Sequence, residues 1–232
     1  MEHKAIERLI SKERLKPYLK YHSDNFDNAV AHYKANIEIS ESFYPKLSVL
    51  EIALRNNLDF QLKRKFNDDN WFENSEFIKI VNRFQIDRVS EARNKILREK
   101  KAITTGRIIA ELSFGFWTSL LDSKFEKTLW KNIRLAFPNC PKSIRKRKTM
   151  SSKFNGIRKF RNRIFHHEAV SWNYAALTNY KKEIIEGIDW LENGLLEWSE
   201  DIFRFDEIME KRKDLIQLTS GGNKGVFRKS GD

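Results

Sequence analysis

Leu47, Leu50, Leu54, Leu58 and Leu62 recur at intervals of three and four residues. That spacing lines side chains up on one face of an α-helix. The same period recurs along the chain, in Ile6, Leu9 and Ile10, in Phe26, Val30, Tyr33 and Ile37, in Phe77, Ile80, Phe84 and Ile96, and in Ile157, Phe160 and Ile164. No stretch shows the clear two-residue alternation of a strand. Punctuation agrees, with nine Gly and four Pro in 232 residues, too few for a sandwich of short strands. The expected fold class is all-α.

The spacing predicts a helix over 4–20 and a second one capped by Ser23 or Asp24. Pro45 stands at the first turn of a longer helix over about 46–66. Asp68-Asp69-Asn70 reads as a turn, and a helix is expected over about 75–99. Residues 107–121, RIIAELSFGFWTSLL, are the most apolar stretch. They suggest a short helix, a bend near Ser113 to Gly115, and a helix to about 136 that Pro138-Asn139-Cys140-Pro141 stops. A basic helix or loop over 142–148, a helix carrying Ile157, Phe160 and Ile164, and helices over 173–196 and 199–217 complete the pattern. The expected organisation is an N-terminal helical extension (1–22), one helical domain (23–218) and a disordered tail (219–232), since one domain with extensions suits this length.

Cys140 is the single cysteine, which excludes an intramolecular disulfide and a Cys-rich zinc site. Met1-Glu2-His3-Lys4 lacks an apolar signal core, and no window offers the roughly 18 apolar residues of a membrane span. The chain reads as cytoplasmic with no membrane partner. No Gly-rich phosphate loop, paired carboxylates or Cys/His metal cluster stands out, so neither a metal nor a cofactor is expected. His3, His22 and His32 are scattered and read as surface. Glu51 and Arg55 read as an i, i+4 helix brace. Phe114 and Trp117 read as core.

Charge is distributed unevenly. The chain carries 44 Lys and Arg against 32 Asp and Glu. Residues 127–167 hold thirteen of the basic residues and no acidic one; without them the balance is 31 against 32. A field concentrated in one segment attracts polyanions through phosphate contacts and counterion release. Lys142, Arg145, Lys146, Arg147, Lys148, Arg158, Lys159 and Arg163 are the candidate RNA-binding residues. Near the end of the run stands Arg161-Asn162-Arg163-Ile164-Phe165-His166-His167. Histidine moves protons near neutral pH, and arginine holds a phosphate through paired hydrogen bonds. The same residues also suit a helix C-terminus structurally.

Three segments resemble the Abi-like (abortive infection, AbiD/AbiF-type) proteins of the HEPN superfamily of helical ribonucleases and RNA binders. They are Leu50-Glu51-Ile52-Ala53-Leu54-Arg55-Asn56, then Gly106-Arg107 with Ala110-Glu111-Leu112-Ser113-Phe114-Gly115-Phe116-Trp117, and Phe160-Arg161-Asn162-Arg163-Ile164-Phe165-His166-His167-Glu168. Together they cover about residues 20–200. The third is similar to the superfamily's Arg-polar-x-x-x-His pattern, with Arg161 and His166 in the functional places. The resemblance implies a HEPN-like helical bundle with additional helices and metal-independent RNA endonuclease activity. It also implies a homodimer and an abortive-infection or toxin role in antiphage defence. A structured RNA antitoxin or a protein antitoxin would hold the activity in check. The expected catalytic residues are Arg161 on the phosphate, His166 as general acid or base, Asn162 orienting the pair and His167 in support. The alternative reading is a non-catalytic protein that binds a structured RNA with the same patch.

Chemistry bears on the dimer separately. Cleavage by the RNA 2′-hydroxyl needs both a base and an acid, and one histidine cannot serve as both at once. Two copies of His166 across a two-fold axis could. Geometry bears on the motif. On a regular helix residues four apart align and residues five apart do not. Arg163 therefore matches His167, and Asn162 matches His166, unless the helix ends or distorts at the site.

Overall fold

The computed structural model describes residues 2–217. About 74% of the chain is helical, and no strand occurs among the described residues. In chain order the helices are α1 (His3–Ile10), α2 (Lys12–Tyr21), α3 (Phe26–Phe66), α4 (Ser75–Ile80), α5 (Arg83–Arg98) and α6 (Thr105–Glu111). There follow α7 (Phe114–Ser119), α8 (Trp130–Ile133), α9 (Arg147–Phe165), α10 (Tyr174–Leu191), α11 (Leu195–Trp198) and α12 (Phe205–Gln217). The chain divides into two units, each built from separate stretches. One comprises Met1–Phe43, Arg163–Asn179 and the described part of Arg204–Asp232; the other comprises Tyr44–Asn162 and Tyr180–Phe203. The expected tail over 219–232 lies outside the described residues.

The leucine ladder is the spine of the second unit, with Leu47, Leu50, Leu54, Leu58 and Leu62 all buried on α3. Burying each leucine is worth about 1.5–3 kcal/mol. Gly187 on α10 is where the packing is closest. A methyl group there would stand 3.0 Å from Leu50 Cδ1, 3.6 Å from Ile157 Cδ1 and 3.7 Å from a ring carbon of Phe154. Glycine thus lets α3, α9 and α10 approach one another. Ile157 and Phe160 of α9 are buried, as their spacing predicts, and so are Phe114 and Trp117. The Phe160 ring stacks on Tyr180 at 3.8 Å. Lys46 is also buried; its ammonium donates to the carbonyls of Leu196 (3.2 Å) and Ser199 (2.9 Å) and to Ser199 Oγ (2.7 Å).

Several boundaries differ from the sequence expectation. The two helices expected around Pro45 are one helix of 41 residues. Proline removes the hydrogen bond to the carbonyl of Glu41. Glu41 is exposed, so its carbonyl is not sealed in the core, and the buried stripe of Ala35, Ile39, Phe43, Leu47 and Leu50 runs straight through. The helix expected over 4–20 breaks at Ser11 (φ 81°), whose hydroxyl accepts from the Arg14 N–H. Asn25, rather than Ser23 or Asp24, caps α3 by accepting from the Asn28 N–H at 3.0 Å. Ser23 and Asp24 both adopt positive φ and reverse the chain. The helix expected over 75–99 breaks at Val81 and Asn82, which are extended. The break shifts the phase, so α5 buries Gln85, Val89, Ala92 and Ile96 and exposes Phe84. The helix expected to reach 136 is instead a series of short turns, with Leu120, Leu121, Phe125, Leu129, Ile133 and Phe137 all buried. Between these buried residues Lys124, Glu126, Lys127, Thr128, Lys131 and Arg134 are exposed, so the apolar face predicted by the spacing is kept although the helix is not continuous.

Among the described residues no helix is long and apolar enough to cross a membrane. Nor does any group of three His, Cys, Asp or Glu residues there stand close enough together to hold a metal ion.

Candidate functional site

Helix α9 ends at Phe165, and its end is a Schellman motif. The His167 N–H donates to the Ile164 carbonyl (3.0 Å), and the Glu168 N–H donates to the Arg163 carbonyl (2.9 Å). His167 takes the left-handed position that glycine usually fills, with φ 56°. Histidine is among the residues that tolerate this region better than most. His166 therefore sits at the helix terminus, directly after the last helical residue. Both histidines are exposed.

Arg163 does not make the i, i+4 match with His167 that an ideal helix offers. Its guanidinium contacts Glu168 Oε2 (Nε, 3.1 Å) and donates to the Ala169 carbonyl (3.0 Å). It fastens the turn beyond the helix. Arg161, with its side chain 29% exposed, lies 3.4 Å from Glu51 Oε2. The Glu51–Arg55 brace read from spacing is thus replaced: Glu51 faces Arg161, while Arg55 Nε donates to Asn56 Oδ1. Glu51 is the residue that sequence reasoning passed over as structural. Its signal was available, since it lies in the first of the three segments and Arg161 in the third. Asn162 is half-buried and ends the second unit's share of α9, whereas His166 and His167 belong to the first unit.

The turn after the histidines rests on α3 and α2. Asn36 hydrogen bonds to Glu168, Val170 and Ser171, and Arg14 donates to the His167 carbonyl at 2.8 Å. His32, read as surface, is in fact fully buried. Its Nε2 lies 3.1 Å from the Ser171 carbonyl and 3.0 Å from Ser171 Oγ, and its Nδ1 lies 3.1 Å from His22 Nε2. A carbonyl can only accept, so the proton sits on Nε2 of His32. Nδ1 then accepts from the Nε2–H of His22. The rings of Tyr18, Tyr21 and Trp172 surround the pair, each about 5 Å from the His32 centroid. Burial pushes His32 down to about 4 and lowers His22 as well. The chain reversal at Ser23 and Asp24 brings together two histidines that lie ten residues apart in sequence. Of the three scattered histidines, only His3 is exposed, and it pairs with Asp27 at 3.1 Å.

The basic run divides into residues whose side chains are tied to the protein and residues that are exposed. Arg145 donates to the Phe137 carbonyl (3.0 Å); Arg147 donates to the Leu121 carbonyl (3.2 Å) and pairs with Glu126. Lys153 pairs with Glu183 and Glu186 beneath Trp190. Arg158 donates to Asn155 Oδ1 at 3.3 Å. Lys142, Lys146, Lys148 and Lys159 are exposed, as are Lys127, Lys131 and Arg134. Exposed lysines suit phosphate contacts, whereas the tied arginines hold the segment in shape. Replacing Lys142, Lys146 and Lys148 with Gln should flatten the slope of log affinity for single-stranded RNA against log salt by about two units, at roughly 0.7 per phosphate contact. Fluorescence anisotropy across a salt series checks this, and an unchanged slope places the RNA surface elsewhere.

No protein-family model, curated protein or solved structure matches the chain.

Proposed function

We propose that this protein is a metal-independent RNA endonuclease of the HEPN type, acting as an abortive-infection or toxin effector in bacterial antiphage defence. The observation that carries the reading is the Arg161-Asn162-x-x-x-His166 motif at the end of α9, inside the acid-free run, with the histidine at the exposed helix terminus. Arg161 contacts the scissile phosphate and stabilises the charge that develops there. Glu51 holds the guanidinium until the phosphate arrives. His166 transfers the proton at the 2′-hydroxyl or at the departing 5′-oxygen. Asn162 orients the pair, and His167 shapes the terminus. A homodimer supplies the second proton-transfer group, one His166 neutral and its copy charged. Lys142, Lys146 and Lys148 draw in the RNA strand, and the same charges suit an RNA antitoxin; a protein antitoxin is the other form of restraint.

The test is incubation of the purified protein with RNA in excess EDTA. Cleavage should persist. Salt-sensitive binding without cleavage, with or without divalent metal, would replace this reading with that of a structured-RNA-binding protein.

A further inference from the structure

Asn36 is a buried polar residue in the first half of α3, 4% exposed. Its carboxamide oxygen accepts from the N–H groups of Val170 (2.8 Å) and Ser171 (3.1 Å). Its amide nitrogen donates to the Glu168 carbonyl (3.3 Å). All three partners belong to backbone between α9 and α10, where no helix satisfies them. Helix α3 gains nothing from this side chain, because asparagine is a poor helix former and its bonds here are to another segment. What the side chain does is lock four residues that start immediately after His167. Arg14 reaches the same stretch from the other end, at the His167 carbonyl (2.8 Å). His167 meanwhile holds a left-handed conformation that a non-glycine residue keeps only when its surroundings impose it.

We propose that Asn36 is a positioning residue for the motif histidines: it pins the Glu168–Ser171 turn and thereby fixes the direction in which His166 leaves the helix terminus. This deepens the ribonuclease reading and rests on it. A proton-transfer group works only when held near its reacting atom, and a displacement of about 1 Å can cost on the order of 100-fold in rate. The two Schellman hydrogen bonds close the helix end after His166, and Arg163 reaches the turn from its side at Glu168 and the Ala169 carbonyl. Three further hydrogen bonds from a buried amide fix the backbone of that turn from the interior. Lys142, Lys146 and Lys148 lie before or at the first turn of α9, and none of them takes part in the hydrogen bonds that hold the turn.

Asn36→Ala should lower kcat for RNA cleavage at least about tenfold and leave KM within about twofold. Arg14→Ala removes the exposed contact to the same turn and should lower kcat a few-fold, again with KM unchanged. Because Arg14 is exposed, this variant tests the idea even if Asn36→Ala fails to fold. A second readout needs no activity. In ¹H–¹³C spectra the ring resonances of His166 and His167 should shift or broaden in both variants, while those of His3 stay in place. Unchanged histidine resonances, or a raised KM at unchanged kcat, would overturn the positioning role. Failure of the wild type to cut RNA at all would instead remove the ribonuclease reading, and the ring resonances would still report whether Asn36 fixes the turn.

Discussion

Arg161→Ala and His166→Ala should each lower the proposed RNA cleavage by at least about 100-fold while helical content stays as in the wild type. That is the usual scale for removing one phosphate-stabilising group or one general acid–base group. Neither change should unfold the protein. His166 is exposed at the helix terminus and contributes nothing to the core. Arg161 and Glu51 are 29% and 27% exposed at the side chain, so removing the arginine leaves a carboxylate that water still reaches. His167→Ala should do less, because its backbone conformation matters more than its ring. The measurement is a single-turnover time course on one labelled RNA, with circular dichroism and light scattering as controls. Wild-type rates in the His166→Ala protein would rule out the assigned role.

Stability should fall steeply between neutral and mildly acid pH, and His32 should be a main cause. Its pKa is about 4 in the folded protein against 6.5 when unfolded, because burial disfavours the charged ring. Between those two values the unfolded chain binds more protons than the native one. Stability is therefore intact above about 6.5 and is lost as pH falls through the window, with no further loss from this group below about 4. A shift of this size is worth up to about 3 kcal/mol, of which roughly 2 kcal/mol is lost by pH 5. Protonation also places a hydrogen on His32 Nδ1, where it meets the N–H of His22. That removes the bond between the two rings beneath the motif turn. Urea melts at pH 7 and pH 5 check this. In His32→Gln, which cannot titrate, the difference between the two pH values should shrink by roughly 2 kcal/mol; an unchanged difference would show that the loss comes from other groups.

The all-α class was legible because the apolar residues that carry it are buried where their spacing places them. The leucine ladder and the Ile157, Phe160 and Ile164 stripe are the clearest cases. Boundaries were less legible, since they turn on single hydrogen bonds. Pro45 reads as a start, yet one lost bond at an exposed carbonyl is small beside a continuous buried stripe. The first half of α3 misled for a different reason. Its apolar residues suggest a face through Phe26, Val30, Tyr33 and Ile37, yet Ile37 is 50% exposed and the buried face carries His32 and Asn36. Polar residues at core positions are invisible to a periodicity argument, and here they are the ones that hold the motif turn. Glu51 was misread because an i, i+4 neighbour is visible in sequence, whereas Arg161, 110 residues away, is not. The motif itself was legible as a residue pattern. The Schellman end that closes α9 after His166 was not, because histidine stands where glycine would have signalled it.

In the proposed reaction the RNA's own 2′-hydroxyl is the nucleophile and His166 moves its proton without a metal. The most direct measurement uses two otherwise identical RNAs in EDTA, one all-ribo and one with a single 2′-deoxy nucleotide at the mapped cut position. The all-ribo strand should be cut to a 2′,3′-cyclic phosphate end or its hydrolysis products, and the substituted strand should resist at that position. Equal cutting of both strands, or arrest of the wild type by EDTA, would contradict this mechanism.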